Sequence, residues 1–182
     1  MPNEQLKTIF TESIQTQISA VEGLSDTIDH AVNLVVASLL NGQRVFSLGN
    51  QSTVWLSHHF AEIMNLGMSL ERPAFPVIPL ARYSQQQVSS LGQSNDVLIV
   101  FAAAQGEDEE LIASIEAALS REMILIAITG QNNPLVSGLL GADDIEIQIP
   151  SPTTARVLEH QLLVSHCLCE LTEQIIFPQG PE

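Results

Sequence analysis

Apolar and polar positions first alternate with a helical period. Over residues 4–21, Leu6, Ile9, Phe10, Ile14, Ile18 and Val21 recur at three- and four-residue intervals, the spacing of an amphipathic helix. After Gly23, Asp26 stands as a cap for a second helix, in which Ile28, Ala31, Val32, Val35, Val36, Leu39 and Leu40 keep that period until Asn41-Gly42 supplies a stop. Two helices are therefore expected over residues 1–41. Their stripes are wide enough to predict packing on neighbouring subunits as well as on a sheet.

The pattern then becomes that of an α/β core over residues 43–150. Residues 44–49 form an apolar run ending at Gly49, followed by a polar turn and a helix that opens at Ser52 or Thr53. A strand, a turn and a helix N-terminus in that order make the usual place for a ligand, because the crevice of such a sheet lies beyond the carboxyl ends of its strands. Residues 75–80 predict a short strand whose prolines put it at an edge. Residues 82–94 carry only Val88 and Leu91 as anchors for a weak helix. The β-branched run 96–101 predicts the central strand, buried on both faces. A helix over 107–121 and a buried strand over 123–128 complete a parallel unit. Asn133-Pro134 pairs an N-cap with a proline at the first helical position and opens a helix to Leu140. Residues 144–149 alternate as a strand with one wetter face. Ser151-Pro152 repeats the cap signal before a long helix over 153–174, apolar on more than one face; residues 151–177 form this C-terminal unit and 178–182 a breaker-rich tail. All 182 residues are read as one domain.

Composition narrows the partners. Six Lys+Arg against 21 Asp+Glu give a net charge of −15, which argues against direct nucleic-acid binding and suits a basic protein partner through electrostatic steering. The longest apolar run, 97–104, is too short to span a bilayer, and the start Met-Pro-Asn-Glu-Gln lacks a signal pattern, so a cytoplasmic protein is expected. Cys167 and Cys169 point to different helix faces, predicting neither a disulfide nor a metal pair. His30, His58, His59, His160 and His166 include no i, i+4 pair, so no metal and no cofactor are expected.

Two turns carry the candidate chemistry. Gly49-Asn50-Gln51-Ser52 has too few glycines for a nucleotide loop. Residues 102–110 sit at the N-terminus of the helix after the central strand, where phosphate binders show Ser, Thr or Gly. Here Glu107, Asp108, Glu109 and Glu110 place four carboxylates instead, which satisfy the helix dipole and repel a phosphate.

Several strings resemble one family: Phe10-Thr11-Glu12-Ser13-Ile14-Gln15-Thr16-Gln17-Ile18, Leu48-Gly49-Asn50, His59-Phe60-Ala61, Glu71-Arg72-Pro73, Ile126-Ala127-Ile128-Thr129-Gly130, Cys167-Leu168-Cys169-Glu170-Leu171 and Phe177-Pro178. Over nearly the whole chain they are similar to the SIS (sugar isomerase) domain, in its phosphoheptose isomerase-like branch. The first and last strings match the type that associates with the replication initiator DnaA. The resemblance implies a three-layer α/β/α, flavodoxin-like subunit with a mostly parallel five-stranded sheet. In it the N-terminal helix pair and the long C-terminal helix assemble a homotetramer. The ancestral activity it implies is isomerisation of sedoheptulose 7-phosphate, with a glutamate and a histidine moving protons.

Carried over residue by residue, the first phosphate loop keeps Gly49, Asn50 and Thr53 but has Gln51 for a glycine, and the second keeps only Gly106. The catalytic glutamate falls on Ile63 beside Glu62, the catalytic histidine on Gln161 and a preceding glutamine on Leu158. Asn50, Ser52, Thr53, His59 and Glu62 then mark a vestigial sugar-phosphate pocket. The initiator-binding pair falls on Ile176 and Phe177, which equally suit the end of a core helix. A non-catalytic, DnaA-binding homotetramer that promotes initiator assembly at the origin is expected. A sugar-phosphate isomerase using His59 and Glu62, or a sugar-phosphate sensor, is the alternative.

Overall fold

The computed structural model describes residues 2–102, 108–131 and 133–179. In chain order the elements are α1 (Pro2–Leu40), β1 (Val45–Gly49), α2 (Val54–Leu66), β2 (Val77–Pro79), α3 (Ser84–Leu91) and β3 (Val97–Ala102). They continue with α4 (Glu109–Ser120), β4 (Ile124–Gly130), α5 (Pro134–Ser137), β5 (Ile145–Ile149) and α6 (Thr154–Ile176). The five strands form a sheet in the order β2-β1-β3-β4-β5, and each neighbouring pair is parallel. The proline-flanked β2 is an edge and β3 the centre, as the hydropathy pattern requires.

Strand alternation divides the core into two layers. Val97, Ile99 and Phe101 join Ile126, Ile128, Ile145 and Ile147 under α1, α2 and α6. Leu98, Val100 and Ala102 face the other way, with Phe46, Leu125 and Ala127, under α3, α4 and α5. Helices on both faces bury every residue of β3, and each large apolar side chain so buried stabilises the fold by about 1.5–3 kcal/mol. The result is the three-layer α/β/α arrangement, with an all-parallel sheet.

The expected pair of N-terminal helices is a single helix of 39 residues, about 58 Å long at the usual rise. Gly23 does not break it, because the buried face through Thr16, Ala20, Ala31, Val32 and Val35 continues across it. That packing outweighs the cost of about 1 kcal/mol for an internal glycine. Asp26 therefore lies in mid-helix with no terminus to cap. A Cβ built on Gly23 meets nothing within 4 Å, so Gly23→Ala is expected to raise stability by about 0.5–1 kcal/mol, measured as a shift in the denaturant midpoint. Unchanged or lower stability would contradict a continuous helix.

Other boundaries move less. Gly42 takes a φ of +77° and ends α1 as its sequence signal predicts. The Asn133 side chain caps α5 by accepting from Val136 N–H, but the helix stops at Ser137. Helix α6 begins after Thr153, not Pro152, and Ser151 Oγ accepts from the Thr153 N–H instead of capping the helix.

Candidate functional site

Beyond the carboxyl ends of β1 and β3, where strand order reverses, a cavity of about 670 Å³ is lined by Asn50, Gln51, Arg82, Tyr83, Asp108 and Glu110, among others. This is the crevice expected for a sheet of this topology. The β1–α2 turn forms one wall. Asn50 C=O accepts from the Thr53 and Val54 N–H groups at 3.0 and 2.7 Å. Its side-chain Oδ1 takes the Ser52 and Thr53 hydroxyls at 3.0 and 2.7 Å. Thr53 is fully buried, and its single hydroxyl proton is shared between Asn50 and the Phe101 carbonyl, 2.6 Å away. Ser52 and Thr53 thus shape the turn instead of facing a ligand, and only Asn50 of the three lines the crevice.

The opposite wall is acidic. Asp108 caps α4 by accepting from Leu111 N–H at 3.1 Å, with Glu109 and Glu110 in the first turn. Glu110 Oε1 accepts from the buried Ser84 hydroxyl at 3.1 Å, and Ser84 also meets Ser114 at 2.8 Å. Arg82 supplies one positive charge on the rim and makes no ion pair among the described residues. Gly106 and Glu107 of this turn lie outside the described residues. With the helix dipole and Ser84 already served by carboxylates, the α4 wall of the crevice presents like charge to a phosphate.

His59 and Glu62 are not part of this lining. Glu62 is exposed on α2. His59 faces α6, where its Nε2 lies 3.0 Å from His166 Nε2. Burial and the neighbouring His59 hold the His166 imidazole below its usual range, partly opposed by Glu170. Gln161, placed by the sequence reading at the histidine position, is fully buried and donates to the Ile128 carbonyl at 2.6 Å. Leu158 packs on the core. The imidazole that α6 turns toward α2 is His166, which sequence reasoning missed because nothing local links positions 107 residues apart. Among the described residues no three His, Cys, Asp or Glu side chains group to hold a metal ion. Cys167 and Cys169 are free.

Ile176 and Phe177 are half-buried against the sheet core. The Phe177 ring stacks on Phe75, 5.9 Å between centroids, and Phe75 lies 3.9 Å beneath the Arg72 guanidinium. Arg72 Nε bonds Glu173 at 2.9 Å, and the same carboxylate accepts from the N–H groups of Met68, Ser69 and Leu70. The end of α6 is therefore clasped to the loop after α2. Its neighbour Ile175 is 47% exposed and, with Leu163 and Leu171, continues an apolar ridge along α6. A second ridge on α1 exposes Leu6, Phe10, Ile14 and Ile18. No described helix is long and apolar enough to cross a membrane.

The SIS domain model matches residues 9–130. The chain is 38% identical to the DnaA initiator-associating protein DiaA of Erwinia tasmaniensis, over 96% of this chain and 97% of that one. It is equally 38% identical to the phosphoheptose isomerase of Shewanella denitrificans, with 97% of both chains covered. The solved phosphoheptose isomerase of Francisella tularensis superposes with a TM-score of 0.89 at 29% identity, covering 96% of this chain and 99% of that chain. With this fold and this extent of similarity, the chain belongs to the SIS domain family, in the group that holds both DiaA and the phosphoheptose isomerases.

Proposed function

We propose that this protein is a non-catalytic SIS-fold scaffold that binds a DnaA-type replication initiator as a homotetramer and promotes its assembly at the origin. The observation that carries the reading is the crevice. Asp108 and Glu110 occupy the wall where a phosphate would need donors, and the Asn50, Ser52 and Thr53 side chains are engaged with one another. Similarity to initiator-associating proteins supports the partner. The unpartnered apolar ridges on α1 and α6 support self-assembly, since a second copy would bury both. Several copies of one weak initiator contact then act through avidity.

Ile176 and Phe177 mark the proposed contact. Phe177→Ala and Ile176→Ala are each expected to lower initiator capture in pull-down at least about tenfold, roughly 1.4 kcal/mol, while the oligomer's elution volume stays the same. Unchanged capture by both variants would move the contact elsewhere on the molecule.

The His59–His166 pair favours a second reading, a phosphoheptose-type isomerase, because two imidazoles sharing a proton can serve as acid and base. Turnover of sedoheptulose 7-phosphate that disappears in His59→Ala or Glu62→Ala would establish it in place of the scaffold. The scaffold reading expects no turnover in the unmodified protein, and no rise in melting temperature on adding that sugar phosphate.

A further inference from the structure

At the amino ends of the strands, away from the crevice, two cavities of about 660 and 500 Å³ share Leu34, Asn95 and Ile124 and so form one groove. Helix α1 makes one wall with His30 and Leu34. The turns that lead into β4 and β5 make the other, with Glu122 and Asp143. Leu34, Leu119 and Ile124 line it half-buried, so each keeps apolar surface open to an occupant.

The rim carries charge of one sign. Glu122 and Asp143 are exposed and make no ion pair among the described residues. Asp144 beside them is already used, accepting from the Leu125 and Gly141 N–H groups at 2.8 and 2.7 Å. Among the described residues no Lys or Arg lines either cavity. The arginines nearest in sequence serve other groups: Arg44 holds Asp96 and the Leu91 carbonyl, and Arg121 Nε donates to the Gly92 carbonyl.

Glu122 stands where local preference is against it. It follows the C-cap of α4 with a φ of 57°, the left-handed conformation that favours glycine. Its carboxylate also sits at the negative end of the helix dipole, where a cation would be favoured. The backbone is held there from both sides, with the Glu122 N–H on the Leu119 carbonyl at 3.0 Å and the Glu122 carbonyl accepting from Asn95 N–H at 2.9 Å. Neither bond involves the side chain, which leaves the carboxylate free for an occupant.

We propose that this groove is a docking surface for a basic amphipathic segment of a partner protein. Apolar side chains of that segment cover Leu34, Leu119 and Ile124, while its Lys or Arg side chains pair with Glu122 and Asp143. Charge complementarity selects this occupant. A second copy of the chain would bring another net charge of −15 toward an acidic rim, whereas a basic segment is steered to it. An amphipathic helix laid into an apolar groove is a recurring mode of peptide recognition. Neither the crevice residues nor Ile176 and Phe177 line the groove, so the inference holds for either reading of the function.

The test uses the full-length protein and a fluorescent synthetic peptide of leucine and lysine at helical amphipathic spacing, about fourteen residues long. Anisotropy follows binding at roughly 0.15 M salt, and hydrogen exchange locates the bound peptide. Saturable binding is expected, with slower exchange over residues 119–124 and 141–144, and the same peptide with glutamate in place of lysine should not bind. Glu122→Gly combined with Asp143→Asn is expected to weaken binding at least about tenfold. Its melting temperature should be no lower than that of the unmodified protein, because glycine suits the left-handed backbone. Glu22→Gln combined with Glu71→Gln removes the same charge from exposed positions outside the groove. That pair should leave the affinity within about twofold, since distant surface charges are screened.

An equal loss in both double variants would reduce the effect to general attraction toward an acidic protein and overturn the proposal. Protection of the apolar ridges on α1 or α6 in place of the groove would overturn it as well, as would no binding by the unmodified protein. A changed elution volume in the Glu122→Gly, Asp143→Asn protein would mark a second copy as the occupant, with the same consequence.

Discussion

Glu173→Ala is expected to cost about 3–5 kcal/mol of unfolding free energy, the usual penalty for removing one member of a buried ion pair. The Glu173 and Arg72 side chains are only 2% and 1% exposed. Truncating the carboxylate leaves the guanidinium buried without its counter-charge. It also strips the Met68, Ser69 and Leu70 N–H groups of their acceptor. For a chain of this length the loss corresponds to a melting temperature lower by about 6–20 °C, read by calorimetry or circular dichroism. A fall of a degree or two would mean that the clasp is solvated. Replacing Arg72 and Glu173 together with apolar residues should cost less than Glu173→Ala alone, because no charge is then stranded.

Acid removes the same contribution by another route. Burial alone would push the Glu173 carboxyl up, but the N–H groups of Met68, Ser69 and Leu70, together with Arg72, outweigh it and hold the group below its ordinary value of 4.5. Its stabilisation is therefore complete above that value and is lost as pH falls through the lower, folded-state value. The His166 imidazole is also held low, so its contribution begins to fall at a higher pH, below its ordinary 6.5. Melting temperature against pH should accordingly decline in two separated stages, and His166→Gln should remove only the first.

The parts of the molecule that sequence makes legible are those set by local pattern. The β-branched runs of β3 and β4 could only be strands buried on both faces, and the prolines around Val77 could only border an edge. The acidic run at Asp108, Glu109 and Glu110 reads as the first turn of a helix, and the structure puts Asp108 and Glu110 in the crevice wall. Contacts between distant segments were not legible. Glu173 sits in a helical stripe where a glutamate ordinarily faces water, and only folding brings it to a loop about 100 residues away. His166 finds His59 in the same manner. Gly23 misled for the opposite reason: a local break signal was overridden by an apolar face that runs past it. Helix α6 runs to Ile176, two residues past the end at 174 that the apolar spacing predicts, with Phe177 as its C-cap. The stacking of Phe177 on Phe75 was not legible, because only the fold brings the loop after α2 beside the end of α6.

Gly49→Ala should behave oppositely to Gly23→Ala, although both replace a glycine with the better helix and strand former. Gly49 has no unusual backbone angle, so its requirement is space. A Cβ there would strike the Thr53 carbonyl and lie 2.8 Å from Val54 N, both main-chain atoms that cannot swing aside. Relief requires the first turn of α2 to lift away from the sheet. That movement would pull Thr53 Oγ1 from the Phe101 carbonyl and disturb the pairing of Gly49 with Phe101 across β1 and β3. The expected cost is about 1–3 kcal/mol, in the range for overpacking a filled site. The damage should concentrate at the crevice, with faster hydrogen exchange in residues 50–57 than in the rest of α2. A variant as stable as the unmodified protein, with α2 equally protected, would show that the turn can yield. The tight closure of strand on helix would then be a family habit of Gly49-Asn50 and not a constraint of this fold.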